Sequence, residues 1–128
     1  MTMKNNELFQ KAQSARYLAL ELAHNANESH SGGAMSMADV LITLYANYLN
    51  NTPQTQNEVN RDRFILSKGH CCSLYYAILA EMGFFTKQEL LDNFAKNGTH
   101  FFAHASHTLP GVELSTGSLG HGLPVSCG

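Results

Sequence analysis

Apolar residues return at helical spacing along the first part of the chain: Leu8, Ala12, Ala15, Leu18 and Leu22 fall on one stripe, as in a helix with one face turned to a core. Asn5 and Asn6 are candidate caps, and the helix is expected to run to about Asn25. The polar stretch NANESHSGGAM, Asn25 to Met35, interrupts it. Ser36-Met37-Ala38-Asp39 reads as a capping box with Asp in place of Glu. It opens a second helix carrying Met37, Val40, Leu41, Leu44, Tyr45 and Tyr48 on one side. A polar loop follows from Asn50 to Asn60.

RFILS, Arg63 to Ser67, is short, apolar and not alternating. It is the best strand candidate and reads as buried and parallel. Lys68-Gly69-His70 turns the chain into a third helix with Cys71, Leu74, Tyr75, Ile78, Leu79 and Met82 inward. Gly83 stands where a helix-ending glycine belongs. Thr86-Lys87-Gln88-Glu89 is a full capping box for a fourth helix to about Ala95, and Asn97-Gly98 marks a turn. Thr99 to Gly111 keeps no period and is expected to be loop. It leads into STGSLGHGLPVSCG, a glycine turn followed by an apolar segment. Helices flanking a parallel strand open an α/β domain, but one strand cannot make a sheet, so the fold as written is unfinished.

Composition narrows the class. The chain has 128 residues, is 44% hydrophobic and 14% charged, and carries a formal net charge of -2. It is one domain at most. The slightly acidic balance argues against nucleic acid as a partner, because phosphate binding wants a basic face. No apolar run approaches the ~20 residues of a membrane span, and MTMKNNELFQ lacks the apolar core of a secretory signal. Cys71, Cys72 and Cys127 make an odd count with an adjacent pair, which reads as reduced thiols in a cytoplasmic protein.

Seven histidines raise the question of chemistry. His70 follows a strand and a glycine turn and begins a helix. Parallel sheets bind ligands at that place, and free backbone N–H groups there favour phosphate. The plainer reading is a helix-start residue with no ligand. His30 precedes Gly32-Gly33 on a polar loop, where it either faces a site or is simply solvated. His100, His104 and His107 have the spacing of a one-face metal cluster, but Gly98 and Pro110 speak against a helix and no carboxylate or cysteine stands nearby. STGSLGHG is neither a dinucleotide fingerprint nor a triphosphatase loop, since no Lys follows its glycines.

Taken in order, His30 in its glycine loop, RDRFILSKGH, and the loop around His104 with LPGVELSTGSLGHG resemble the amino-terminal section of transketolase, from about residue 10 to the last residue. Lys68 and His121 are most similar to the split bacterial type, in which amino- and carboxyl-terminal sections are separate chains; 1-deoxyxylulose-5-phosphate synthase is a more distant likeness. The resemblance implies the mostly helical opening part of a doubly wound α/β domain that binds thiamine diphosphate. It places His30 by the reacting sugar carbons and His70 against the cofactor's diphosphate. His104 is placed on the sugar hydroxyls, with His107 a rival because AHASH replaces the usual GHP. Gly117, Ser118 and Leu119 are placed beside the thiazolium. HSGG stands for the usual HPGG, and His121 replaces a common glutamine.

The family's Gly-Asp-Gly, which holds Mg²⁺, is not in the sequence. No metal ligand is therefore assigned here, and the Mg²⁺ ligands are expected beyond residue 128. The reading is of residues 1–128 as a partial diphosphate-binding domain, cut before the metal site and inactive alone. The implied partners are a carboxyl-terminal section, further copies of that pair in a homo-oligomer, and a sugar phosphate substrate. The competing readings are a non-catalytic truncated paralogue that acts as an interaction module, and a histidine-rich metal-binding domain.

Overall fold

A computed structural model describes residues 2–128. Helix α1 spans Asn5–Asn25 and buries Ala12, Ala15, Leu18 and Leu22, the expected stripe without Leu8, which is only partly covered. Its cap is not Asn5 or Asn6, which lie inside the helix. The Glu7 carboxylate instead accepts the Lys4 backbone N–H at 3.0 Å, satisfying one of the donors a helix start leaves over. The polar break that follows holds a short helix, α2, over Ser31–Met35.

Helix α3 covers Ala38–Asn47 with Met37 at its cap. The Ser36 capping box does not form, because the Ser36 hydroxyl donates back to Gly33 O at 2.9 Å. The buried face of α3 is Ala38, Leu41, Ile42 and Tyr45. Val40 and Tyr48, expected inside, are 60% and 74% exposed.

The run Arg63–Ser67 is irregular and joins no ladder, and no strand exists among the described residues. The expected buried strand is corrected on a physical ground: a strand completes its backbone hydrogen bonds only with a neighbour. A single 3-10 turn, Gly69–Cys71, then leads into α4, Cys72–Glu81. Every residue of α4 from Cys72 to Ala80 is buried, so α4 is the central helix, with α1, α3 and α5 packed around it. Gly83 closes it with φ +86, a left-handed position glycine takes without strain.

Thr86 caps α5, Lys87–Asn93, accepting Glu89 N–H at 3.0 Å. That helix ends short of Ala95, because Phe94 is extended and Ala95 turns left-handed at φ 55. Residues 99–121 form no helix or strand, and α6 spans Gly122–Cys127. Among the described residues no helix is long and apolar enough to cross a membrane.

The core is aromatic along α4. Tyr75 packs with Tyr45 and Phe64, and Tyr76 with Phe94 and Phe101. Burial pushes the phenols of Tyr45, Tyr75 and Tyr76 well up, so they stay neutral and serve as hydrogen-bonding groups. Glu81 ties the outer helices together, meeting Lys11 of α1 and Lys87 of α5 as ion pairs.

Candidate functional site

Four loops meet at one end of α4, and named bonds hold them together. Lys68 Nζ donates to Gly33 O at 2.7 Å, tying the segment before α4 to α2. Ala105 N–H donates to Gly69 O at 3.2 Å, and Thr116 N–H to Ala105 O at 3.1 Å. Thr116 Oγ1 donates to Leu66 O at 2.6 Å, and Gly120 N–H to Ser67 O at 3.0 Å. Gly69 is needed for this closeness: a Cβ there would lie 2.1 Å from Thr116 O, a contact no side chain tolerates.

From the core, Tyr76 reaches the same point. Its hydroxyl donates to His104 O at 2.9 Å and accepts Ser106 N–H at 3.0 Å. The backbone around His104 is thus held by a buried phenol on the central helix.

Three histidines converge on these loops. His30 is the residue before α2, His70 lies in the 3-10 turn, and His104 stands on the loop held by Tyr76. The ring centroids of His30 and His70 are 5.3 Å apart, and those of His30 and His104 are 6.3 Å apart. His30 and His104 are exposed and His70 half-buried, so the group opens to solvent. Gly117 faces it: a Cβ added there would meet only His104 Cδ2, at 4.0 Å. Gly117, Ser118 and Leu119 are all exposed, Leu119 at 76%.

His107 does not join the cluster. Its Nδ1 lies 2.7 Å from Ser115 Oγ, and it lines a separate polar groove with Asn51, Arg61 and Pro110. The chain around His100, His104 and His107 is irregular, so these three share no helix face. Among the described residues no group of three or more His, Cys, Asp or Glu is arranged to hold a metal ion. Cys71, Cys72 and Cys127 are free. Burial pushes the Cys71 and Cys72 thiols up, which keeps them protonated and poor nucleophiles.

The sequence reading missed Lys68, Tyr76 and Thr116 as parts of this site. Tyr76 has no sequence signal, because its partners are 28 and 30 residues away.

The geometry has counterparts among known proteins. Residues 9–128 match the family model for the thiamine diphosphate binding domain of transketolase. An apulose-4-phosphate transketolase subunit from Phocaeicola vulgatus is 36% identical over 118 residues, covering 92% of this chain and 42% of that protein. The protein of the same name from Actinobacillus succinogenes is 39% identical over 127 residues, covering 96% of this chain and 45% of its own length. The crystal structure of transketolase from Campylobacter jejuni superposes with a TM-score of 0.85 at 32% identity, over 94% of this chain and 19% of that one. The chain therefore spans less than half the length of each of these three proteins.

Proposed function

Because this chain belongs to the transketolase family through its thiamine diphosphate binding domain, we propose that it forms part of an enzyme that moves a two-carbon ketol unit between sugar phosphates. Residues 1–128 are read as part of the diphosphate-binding domain, inactive alone. The partner is a carboxyl-terminal section, a reading supported by relatives that are themselves named as transketolase subunits. The assembled pair further associates into an oligomer and works in the cytoplasm.

One observation carries the reading: His30, His70 and His104, far apart in sequence, meet at a solvent-open site facing Gly117. This donor set fits thiamine diphosphate. Imidazoles donate hydrogen bonds to anionic oxygens, and the missing side chain at Gly117 leaves room for a flat ring. The cofactor supplies, when bound, an electron sink for breaking and making a carbon–carbon bond beside a carbonyl.

The chain's own residues do the rest. His70 would hold the diphosphate, and Gly117, Ser118 and Leu119 would hold the thiazolium. His30 and His104 take protons from sugar hydroxyls and return them, the general acid–base work that histidine does most often. Mg²⁺ would be bound with the diphosphate, and no group of three or more His, Cys, Asp or Glu among the described residues is arranged to hold it.

Substitution in the complete enzyme containing this section separates the roles. His70→Ala is expected to weaken thiamine diphosphate binding by about 1.5–3 kcal/mol, the worth of a hydrogen bond to a charged group. His30→Ala and His104→Ala are expected to lower turnover ~10²–10⁴-fold with little change in cofactor affinity. Unchanged cofactor affinity in His70→Ala overturns its assignment. Ketol transfer by the purified 128-residue chain, free of host enzyme, overturns the dependence on a partner.

A further inference from the structure

Helix α2, Ser31–Met35, is little more than one turn, and so short a helix does not hold itself in place in water. Of its residues Ala34 is buried. The residue at its start is His30, whose side chain makes no capping bond and is left free for the site. Where α2 sits therefore decides where His30 sits.

Two contacts seat α2 on the turn that carries His70. The first is Lys68. Its backbone carbonyl accepts Cys71 N–H at 2.9 Å, which opens the 3-10 turn Gly69–Cys71. Its side chain crosses to α2, where Nζ donates to Gly33 O at 2.7 Å and to Ser36 Oγ at 3.4 Å. One residue thus reaches both histidine-bearing elements. Gly33 O is one of the carbonyls that a helix end leaves over. Its neighbours Gly32 O and Ala34 O accept the backbone N–H groups of Ser36 and Met37. Gly33 O instead accepts side chains, the Ser36 hydroxyl at 2.9 Å and the Lys68 ammonium. A hydrogen bond from an ammonium is stronger than a neutral one. Among the described residues Lys68 forms no ion pair with a carboxylate, so nothing draws that ammonium elsewhere.

The second contact is Gly33 itself. A Cβ there would lie 2.8 Å from Cys71 Sγ and 3.7 Å from His70 Nε2. The first separation is closer than packed side chains tolerate, and Cys71 is fully buried. The backbone of α2 therefore lies flush on the turn, and the His30 and His70 ring centroids end 5.3 Å apart.

We propose that Lys68 is a positioning residue: by clamping Gly33 O it fixes α2 on the His70 turn, and so sets the His30 imidazole against the residue that would hold the diphosphate. Gly33 completes the clamp by letting the two backbones meet. The consequence for turnover rests on the ketol-transfer reading, but the clamp itself does not.

The clamp is tested by nuclear magnetic resonance on the full 128-residue chain. Lys68→Met keeps the aliphatic stem and removes the donor, whereas Gly33→Ala keeps the donor and adds the obstructing Cβ. Each is expected to shift the imidazole C–H signals of His30 and to speed amide exchange in residues 31–35, while the amides of α5 and the His107 signals stay still. Lys68→Arg, which can still donate to Gly33 O, is expected to restore the original pattern. In the complete enzyme, Lys68→Met is expected to lower kcat by up to about 10²-fold, the scale of a misplacement of ~1 Å, with thiamine diphosphate affinity little changed. Lys68→Arg is expected to recover that loss.

A Lys68 that merely stabilised the fold would not separate kcat from cofactor affinity, and its loss would not single out α2. His30 signals unmoved in Lys68→Met overturn the proposal. So does Lys68→Arg behaving like Lys68→Met, or a kcat unchanged in Lys68→Met. Each of these results leaves the cofactor reading standing, because that reading is decided by the thiamine diphosphate affinity of His70→Ala.

Discussion

Every residue of α4 from Cys72 to Ala80 is buried, whereas Phe64 and Ile65, equally apolar, lie half-open a few residues earlier. The two runs differ in what each needs from the rest of the molecule. A helix pairs its own N–H and C=O groups and then asks only for apolar neighbours, which α1, α3 and α5 supply. An extended run needs another extended run beside it. Residues 63–67 receive isolated ties, from Thr116 Oγ1 to Leu66 O, from Gly120 N–H to Ser67 O and from Gly122 N–H to Ser67 Oγ. One flank is left as an apolar groove lined by Met37, Val40, Leu41, Leu44, Ile65 and Leu119. The helical side is finished by local sequence, and the run at residues 63–67 is not. The candidate site lies on the seam between them, which is why its loops are held by individual hydrogen bonds rather than by a ladder.

The sharpest way to break this comparison is to cut into its finished half. Leu79→Ala is expected to destabilise the chain by ~2–5 kcal/mol, the cost of truncating a fully buried leucine, read as a lowered midpoint in urea. A loss of under about 1 kcal/mol would mean that α4 is not the packed centre. Next in size is the seam. Tyr76→Phe leaves His104 O and Ser106 N–H without their partner, and a buried unpaired polar group costs ~1–3 kcal/mol. The same denaturation series measures it, and the imidazole signal of His104 should move as its loop loosens.

The unfinished half should respond least. Ile65→Ser is expected to change the stability of the chain by no more than about 1 kcal/mol. A cost as large as that of Leu79→Ala would show that the run is already a core strand. The smallest effect is electrostatic. Burial alone would raise the Glu81 carboxyl, but contact with Lys87, Ser14 and Lys11 holds it below the usual carboxylate range. A carboxyl lowered by folding contributes stability above its unfolded value, and that contribution is lost as pH falls through the folded value. Urea midpoints should therefore drop on acidification below about pH 4.5, and drop less steeply in Glu81→Gln.

What the sequence made legible follows the same division. The stripe of α1, the Thr86 cap of α5 and the closing glycine at Gly83 were all readable, because each depends on residues within a few positions. The Ser36 cap was misread, because α2 forms and the Ser36 hydroxyl turns back to Gly33 O. The strand at Arg63–Ser67 was misread, because its apolar composition says where it is buried in a sheet but cannot supply the sheet. His30, His70 and His104 were readable as a set only through the family likeness. Their spacing says nothing about meeting, and the bonds that bring them together run from residues 68, 76 and 116. Those residue types carry no signal that separates them from ordinary core or loop positions. The sequence left His104 and His107 as rivals, and the fold puts His104 beside His30 and turns His107 toward Ser115.

The central claim is that one end of α4 presents a thiamine diphosphate site built from His30, His70, His104 and the Gly117 turn. The chain's seven histidines are reporters already in place for testing it. Thiamine diphosphate is added, with and without Mg²⁺, to the labelled 128-residue chain while imidazole and amide signals are followed. The account predicts that His70, then His30 and His104, and the amides of residues 117–119 move together. His24, His100 and His107 should stay still, and the response should fade in His70→Ala. Movement centred on His107 and Ser115, or a response equal in His70→Ala, would contradict it.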